Sequence, residues 1–99
     1  MRPIHLARLD QTRPVLVLTR ELVRPHLSRV TVAPITSRIR ALTTEVAVGS
    51  ANGLEHDSVV SLDNIATIAV DDLGRQIGRL LPDQELALTE AVHAAFDLV

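Results

Sequence analysis

Arg13-Pro14-Val15-Leu16-Val17-Leu18 and, further on, Val32-Ala33-Pro34-Ile35-Thr36 decide the reading of this 99-residue chain. Residues 14–19 are almost uninterruptedly apolar and rich in β-branched side chains. The run is too short for a helix and predicts a strand buried on both faces. Pro14 belongs at the start or edge of such a strand, because it has no N–H to give to a ladder. Residues 29–35 predict a second strand of the same kind, ending near Pro34. An arginine therefore opens one apolar strand, and a threonine closes another.

Outward from this pair the pattern continues as short strands. Residues 4–9 predict a first strand, with Asp10, Gln11 and Thr12 as a polar turn. Residues 20–28 hold Pro25 and mixed charge, which suits a loop or a single helical turn. Residues 37–41 form a polar, basic loop. Residues 44–48 alternate and predict a half-buried strand. Residues 49–53 are a turn cluster with Asn52-Gly53 as its strongest signal. Residues 58–62 and 65–70 predict two more strands, 71–73 a turn, and 74–81 a last strand. From Pro82 to Leu98 the spacing becomes helical: Leu88, Val92, Ala95 and Val99 share one face, with Leu81 and Phe96 beside it. Asp83 is the expected N-cap, and Gln84 and Glu85 suit a helix start. Six or seven closely spaced strands and one C-terminal helix predict a mainly β chain, built as a small barrel or a strongly curved sheet.

Composition bounds the rest. The length predicts one domain spanning residues 1–99. The chain is 46% hydrophobic but has no Trp, no Tyr and one Phe, so its core must be aliphatic. At this size burial on folding is modest, and so many aliphatic side chains predict a homodimer. The absence of cysteine excludes disulfides and thiolate metal sites. No apolar stretch reaches the roughly 18 residues of a membrane span, and Met1 to Leu6 is too short and interrupted for a signal peptide. A soluble, cytoplasmic protein with no membrane partner is expected.

The net charge of −2 conceals an asymmetry. Residues 1–40 carry eight Arg against Asp10 and Glu21, a local +6; residues 41–99 carry Arg75 and Arg79 against ten acids, a local −8. All ten cations are Arg. Genomic base composition accounts for the lack of Lys more readily than for the uneven distribution. Arg supplies the planar, bidentate phosphate contacts that Lys cannot make.

Chemistry-bearing constellations are sparse. His5, His26, His56 and His93 lack metal-ligand spacing and read as structural or exposed. There is no Gly-x-Ser-x-Gly elbow and no phosphate-cradling glycine loop. Glu45, Glu55, Asp57 and Asp63 have nothing in the sequence to pair them, and read as a solvated face. No metal or cofactor is expected.

The ordered set of short motifs resembles the MazF/PemK family of toxin endoribonucleases. It comprises Leu6-Ala7-Arg8-Leu9-Asp10, the Arg13 and Val32 stretches, Gly53-Leu54 with Asp57-Ser58-Val59-Val60, Asp63-Asn64-Ile65-Ala66-Thr67-Ile68, and Leu73 with Ile77-Gly78-Arg79-Leu80. Each is weakly specific alone; the order and spacing together, over roughly residues 4–81, carry the likeness. The resemblance implies a CcdB/MazF-like fold, a strongly bent sheet or SH3-like barrel with a C-terminal helix. It implies a homodimeric, metal-independent endoribonuclease that cuts single-stranded RNA at short sequences, leaving a 2′,3′-cyclic phosphate and a 5′-hydroxyl, and that inhibits translation and growth. A cognate MazE-like antitoxin is the implied protein partner. The implied catalytic pair is Arg13 and Thr36, and the implied RNA contacts are Thr12, Ser37, Arg38, Arg40, Asp63 and Asn64.

The chemistry suits that pair. Attack by a ribose 2′-OH requires removal of its proton, stabilisation of extra negative charge on phosphorus, and protonation of the leaving 5′-oxygen. Arg is a poor base because its guanidinium stays protonated, so its natural roles are phosphorane clamp and proton donor. The threonine hydroxyl, or a backbone N–H beside it, can donate to a nonbridging oxygen. Two departures from the family pattern stand out: no Gly-Asp strand entry precedes Pro3-Ile4, and the first loop shrinks to Asp10-Gln11-Thr12, so base recognition by that loop does not transfer. Two other functions fit the same fold: a gyrase poison, disfavoured because the required C-terminal Trp is absent, and a nuclease-dead binding module, disfavoured by the presence of both Arg13 and Thr36.

Overall fold

The computed structural model describes residues 2–98 and contains seven strands and one helix: β1 Pro3–Arg8, β2 Thr12–Val17, β3 Arg29–Thr36, β4 Glu45–Val48, β5 Ser58–Ser61, β6 Ala66–Ala69, β7 Leu73–Arg79 and α1 Glu85–Ala95. All strand pairs are antiparallel, in the order β4-β5-β3-β2-β1-β7, with β6 also against β3. β3 is the pivot. Its first half, Arg29–Val32, pairs with β6, whereas Ile35 and Thr36 pair with β5. One strand thus serves two leaves, and the sheet curves between them.

The expected alternatives of barrel and curved sheet resolve to the second. Among the described residues no ladder joins the edge strands β7 and β4. Side chains bridge that gap instead. Asn52 Nδ2 donates to the Arg79 carbonyl at 2.9 Å and to Gln84 Oε1 at 2.7 Å, while Gln84 Nε2 donates to the Ala47 carbonyl at 3.3 Å. The buried Asn52 amide is satisfied by this network, as a buried polar group must be. The backbones are packed so closely here that a Cβ on Gly78 would overlap the Asn52 carbonyl, and one on Gly53, which has φ of 86°, would overlap the Ile77 carbonyl.

The apolar strands are buried on both faces, as their sequences require. Leu16, Ala33 and Ile35 enter a core closed by Val46, Val60, Leu62, Leu80, Leu88 and Ala91. Val15, Val17, Val30 and Val32 face the other way, against Ala7, with Ile68 and Leu73 packed on them. The strand bounds shift by one or two residues from the expected ones. β2 begins at Thr12 because Thr12 and Arg13 pair with Arg8 and Ala7. It ends at Val17 because the Thr19 hydroxyl takes the ladder's place, accepting the Thr31 N–H at 2.8 Å. Pro14 lies inside β2, but the ladder to β3 starts only at Val15↔Pro34, so one of its flanks is free of pairing.

The helical tail also differs in detail. Pro82–Gln84 is a 3₁₀ turn, and α1 starts at Glu85. Asp83 is not the cap: Gln84 is the N-cap residue, and its side chain accepts the Leu81 N–H at 2.8 Å. Leu88 is buried and Val92 and Ala95 pack beside it as expected, but Phe96 is exposed, and Val99 lies outside the described residues. Among the described residues no helix is long and apolar enough to cross a membrane.

Candidate active site

Arg13 is the second residue of β2, placed there by the tight Asp10–Thr12 reversal from β1. Its Nη2 lies 3.2 Å from Asp10 Oδ1 and 3.3 Å from Oδ2, so the turn that delivers the guanidinium also orients it. Arg13 Nε is shielded from solvent and has no hydrogen-bond partner among the described residues.

Thr36 is the last residue of β3, where the strand leaves β2 and runs alongside β5. Its Oγ1 accepts the Arg38 backbone N–H at 3.1 Å. The hydroxyl is thereby used as an acceptor, and its own proton remains free to donate.

Arg13 and Thr36 line one open cleft of about 700 Å³. Leu6, Pro14, Ile35, Leu54 and Ile77 contribute apolar lining; Gln11, Ser37, Glu55, His56, Arg75 and Gln76 contribute polar groups around the pair. This combination of apolar wall and converging polar groups is that of a ligand site. The volume also falls in the roughly 300–1,000 Å³ range of such sites.

Of the other expected RNA contacts, only Ser37 lies on this cleft. Thr12 is exposed beside Arg13, paired across to Arg8. Arg38 and Arg40 are exposed on the loop after β3. That loop is wrapped on Glu45, whose Oε1 accepts the backbone N–H of both Arg40 and Leu42 at 3.1 Å, with Ala41 between them at φ of 57°. Asp63 and Asn64 sit in a 3₁₀ turn between β5 and β6 and are not among the residues lining this cleft. Asp63 Oδ2 accepts from the Thr44 hydroxyl at 2.6 Å, and Asn64 Nδ2 donates to Ser61 Oγ at 2.8 Å.

The sequence reading missed Gln11, Glu55, His56, Arg75 and Gln76 as cleft residues. For Arg75 and Gln76 a signal existed: Gly74 and Gly78 bracket them within a strand, and glycine in a strand interior marks a bulge or a close backbone approach. No comparable signal singled out the others. Among the described residues no three His, Cys, Asp or Glu side chains converge as a metal site.

Comparison with known proteins gives this geometry its context. The family model for PemK-like, MazF-like toxins of type II toxin–antitoxin systems matches residues 4–96. The chain is 66% identical over 98 residues to Endoribonuclease MazF3 of Mycobacterium tuberculosis, covering 99% of this chain and 95% of that protein. It superposes on the structure of Mycobacterium tuberculosis toxin MazF-mt6 with a TM-score of 0.97 at 65% identity, covering 99% of each chain. It superposes also on an endoribonuclease from a mycobacterial species in complex with its cognate antitoxin, with a TM-score of 0.87 at 26% identity, covering 98% of this chain and 93% of that one. With a family match over nearly its whole length, the chain belongs to the PemK-like, MazF-like toxins of type II toxin–antitoxin systems and is by class an endoribonuclease.

Proposed function

We propose that this chain is a toxin that cuts single-stranded RNA sequence-selectively and without a metal ion, with Arg13 and Thr36 as its catalytic pair. The carrying observation is that these two residues, from different strands, line one cleft. The ribose 2′-oxygen gives its proton to solvent water and bonds to phosphorus while the bond to the 5′-oxygen breaks; that oxygen takes a proton from Arg13, which the solvent returns. The products are a 2′,3′-cyclic phosphate and a 5′-hydroxyl, with no other reactant consumed. Arg13 stabilises the charge that grows on the nonbridging oxygens and is suited to protonating the leaving oxygen. Thr36 donates its free hydroxyl proton to a nonbridging oxygen. Charge-assisted donors of this kind act where charge develops in the transition state.

The whole chain, residues 1–99, is proposed as one toxin domain that works as a homodimer in the cytoplasm. Its proposed partner is a MazE-like antitoxin, by analogy with the antitoxin-bound relative. Cutting of cellular RNA would then arrest translation and growth.

The test is RNA cleavage by the purified protein in EDTA, with the wild type beside Arg13→Ala and with 2′-deoxyribose at the cut position. Cleavage by the wild type of all-ribose RNA only is expected. Continued cutting at the deoxy position would sink the 2′-OH mechanism.

A further inference from the structure

Arg75, Gln76 and Ile77 are consecutive residues of β7, yet all three line the catalytic cleft. A regular strand cannot do this, because successive side chains point to opposite faces. The β1–β7 ladder explains it. Its register steps from Ile4↔Gly78 to His5↔Gln76 and then to Ala7↔Leu73. One step along β1 is matched by two along β7, and the next two by three, so each shift places one extra residue in β7. Bulges of this kind bend a strand and re-aim its side chains, and they recur beside active sites.

The two polar residues so delivered are poised differently. Arg75 is exposed and, among the described residues, makes no ion pair, whereas the other cleft arginine, Arg13, is engaged by Asp10. Gln76 Nε2 donates to the Gly78 carbonyl at 3.0 Å. That bond orients the amide and leaves one N–H donor and the Oε1 acceptor free. A free guanidinium beside an oriented amide matches the chemistry of one nucleotide: a phosphate for the first, a base edge for the second.

We propose that the bulged Arg75–Gln76 segment of β7 is a substrate-positioning wall of the cleft. Arg75 holds a phosphate of single-stranded RNA next to the scissile one, and Gln76 reads the edge of an adjacent base. The proposal rests on the endoribonuclease reading of Arg13 and Thr36, and assigns part of the recognition to the acidic half of the chain rather than to the shortened first loop.

The test uses the full chain and a single-stranded RNA library with a randomised window, sequenced at its cut ends. Binding is measured on the most frequently cut sequence, made uncleavable by 2′-deoxyribose at the cut position. Arg75→Ala should keep the cut motif and weaken binding by tenfold or more at moderate salt. It should lower the slope of log affinity against log salt by about 0.7, the share of one single-strand phosphate contact. The single-turnover rate at saturating protein should stay within about threefold of wild type, and Arg75→Lys should recover most of the slope. Gln76→Ala should lose base preference at one position of the motif by about tenfold, within the range of one amide–base contact. Unchanged affinity, slope and motif in both variants, beside an active wild type, would overturn the proposal alone. Failure of the wild type to cut any member of the library would overturn the endoribonuclease reading, and this proposal with it.

Discussion

Asp10 and Arg13 face each other across the turn between β1 and β2, with one guanidinium nitrogen within 3.3 Å of both carboxylate oxygens. The Asp10 side chain is 76% exposed, so the pair contributes little to folding, about 1 kcal/mol at most. Its value lies in orientation. Asp10→Ala should therefore leave the melting temperature nearly unchanged and slow single-turnover RNA cleavage by about two- to tenfold, the cost of a less well aimed guanidinium. A loss as large as that of Arg13→Ala would mean that Asp10 itself takes part in the chemistry.

Arg13→Ala should damage the rate far more than the binding. Charge stabilised mainly in the transition state appears in the rate constant, and removal of one such donor costs about 2.7–4 kcal/mol, on the order of 10²–10³ in rate. Thr36→Val should cost less, because the Arg38 N–H loses its acceptor and is released to donate in the hydroxyl's place. Single-turnover rates, with affinities for the deoxy-substituted RNA alongside, separate the two quantities. Loss of affinity with an unchanged rate at saturating protein in Arg13→Ala would make it a binding residue only.

Arg38 and Arg40 are exposed on the loop after β3, outside the cleft. Their expected role is phosphate contact without sequence reading. Each alanine variant should weaken binding across many RNA sequences and lower the salt slope by about 0.7, with cutting at saturation preserved. A variant that binds normally but fails to cut at saturating protein would contradict this division of labour.

Asn52→Ala should be the most destabilising of these changes. The buried amide serves Gly49 N, the Arg79 carbonyl and both ends of the Gln84 amide. Its removal strands several partners at once, a cost on the order of 3 kcal/mol. For a chain of this size that corresponds to roughly 12–24 °C in melting temperature. Thermal unfolding by circular dichroism reads it directly; a shift of under about 4 °C would show that the edge of the sheet closes without this bridge.

A homodimer should be the dominant species in solution. Leu22, Leu86, Phe96 and Leu98 are each more than half exposed in the single chain, and Phe96 and Leu98 line one surface hollow with Leu18, Ile65, Leu88 and Val92, an apolar surface of the kind a second copy covers. Multi-angle light scattering at micromolar concentration should give twice the 10.8 kDa chain mass. A single species at the chain mass would refute dimerisation.

Much of this architecture was legible in the amino-acid sequence alone. The unbroken apolar run after Arg13 required burial on both faces, and Val15, Leu16 and Val17 do divide between two cores. The order of strands and the final helix followed from side-chain periodicity, which is a local property. So did the strand-end positions of Arg13 and Thr36. Tertiary structure alone decided whether the sheet closed, because that depends on β7 meeting β4 across the whole molecule, and Asn52 and Gln84 fill the gap instead. It also decided which side chains share the cleft. Arg13, Thr36, His56 and Arg75 come from four separate segments, and their meeting is set by long-range register. In β7 that register slips twice against β1. No alternation pattern within residues 73–79 encodes such a slip, since it arises from how two distant strands fit together.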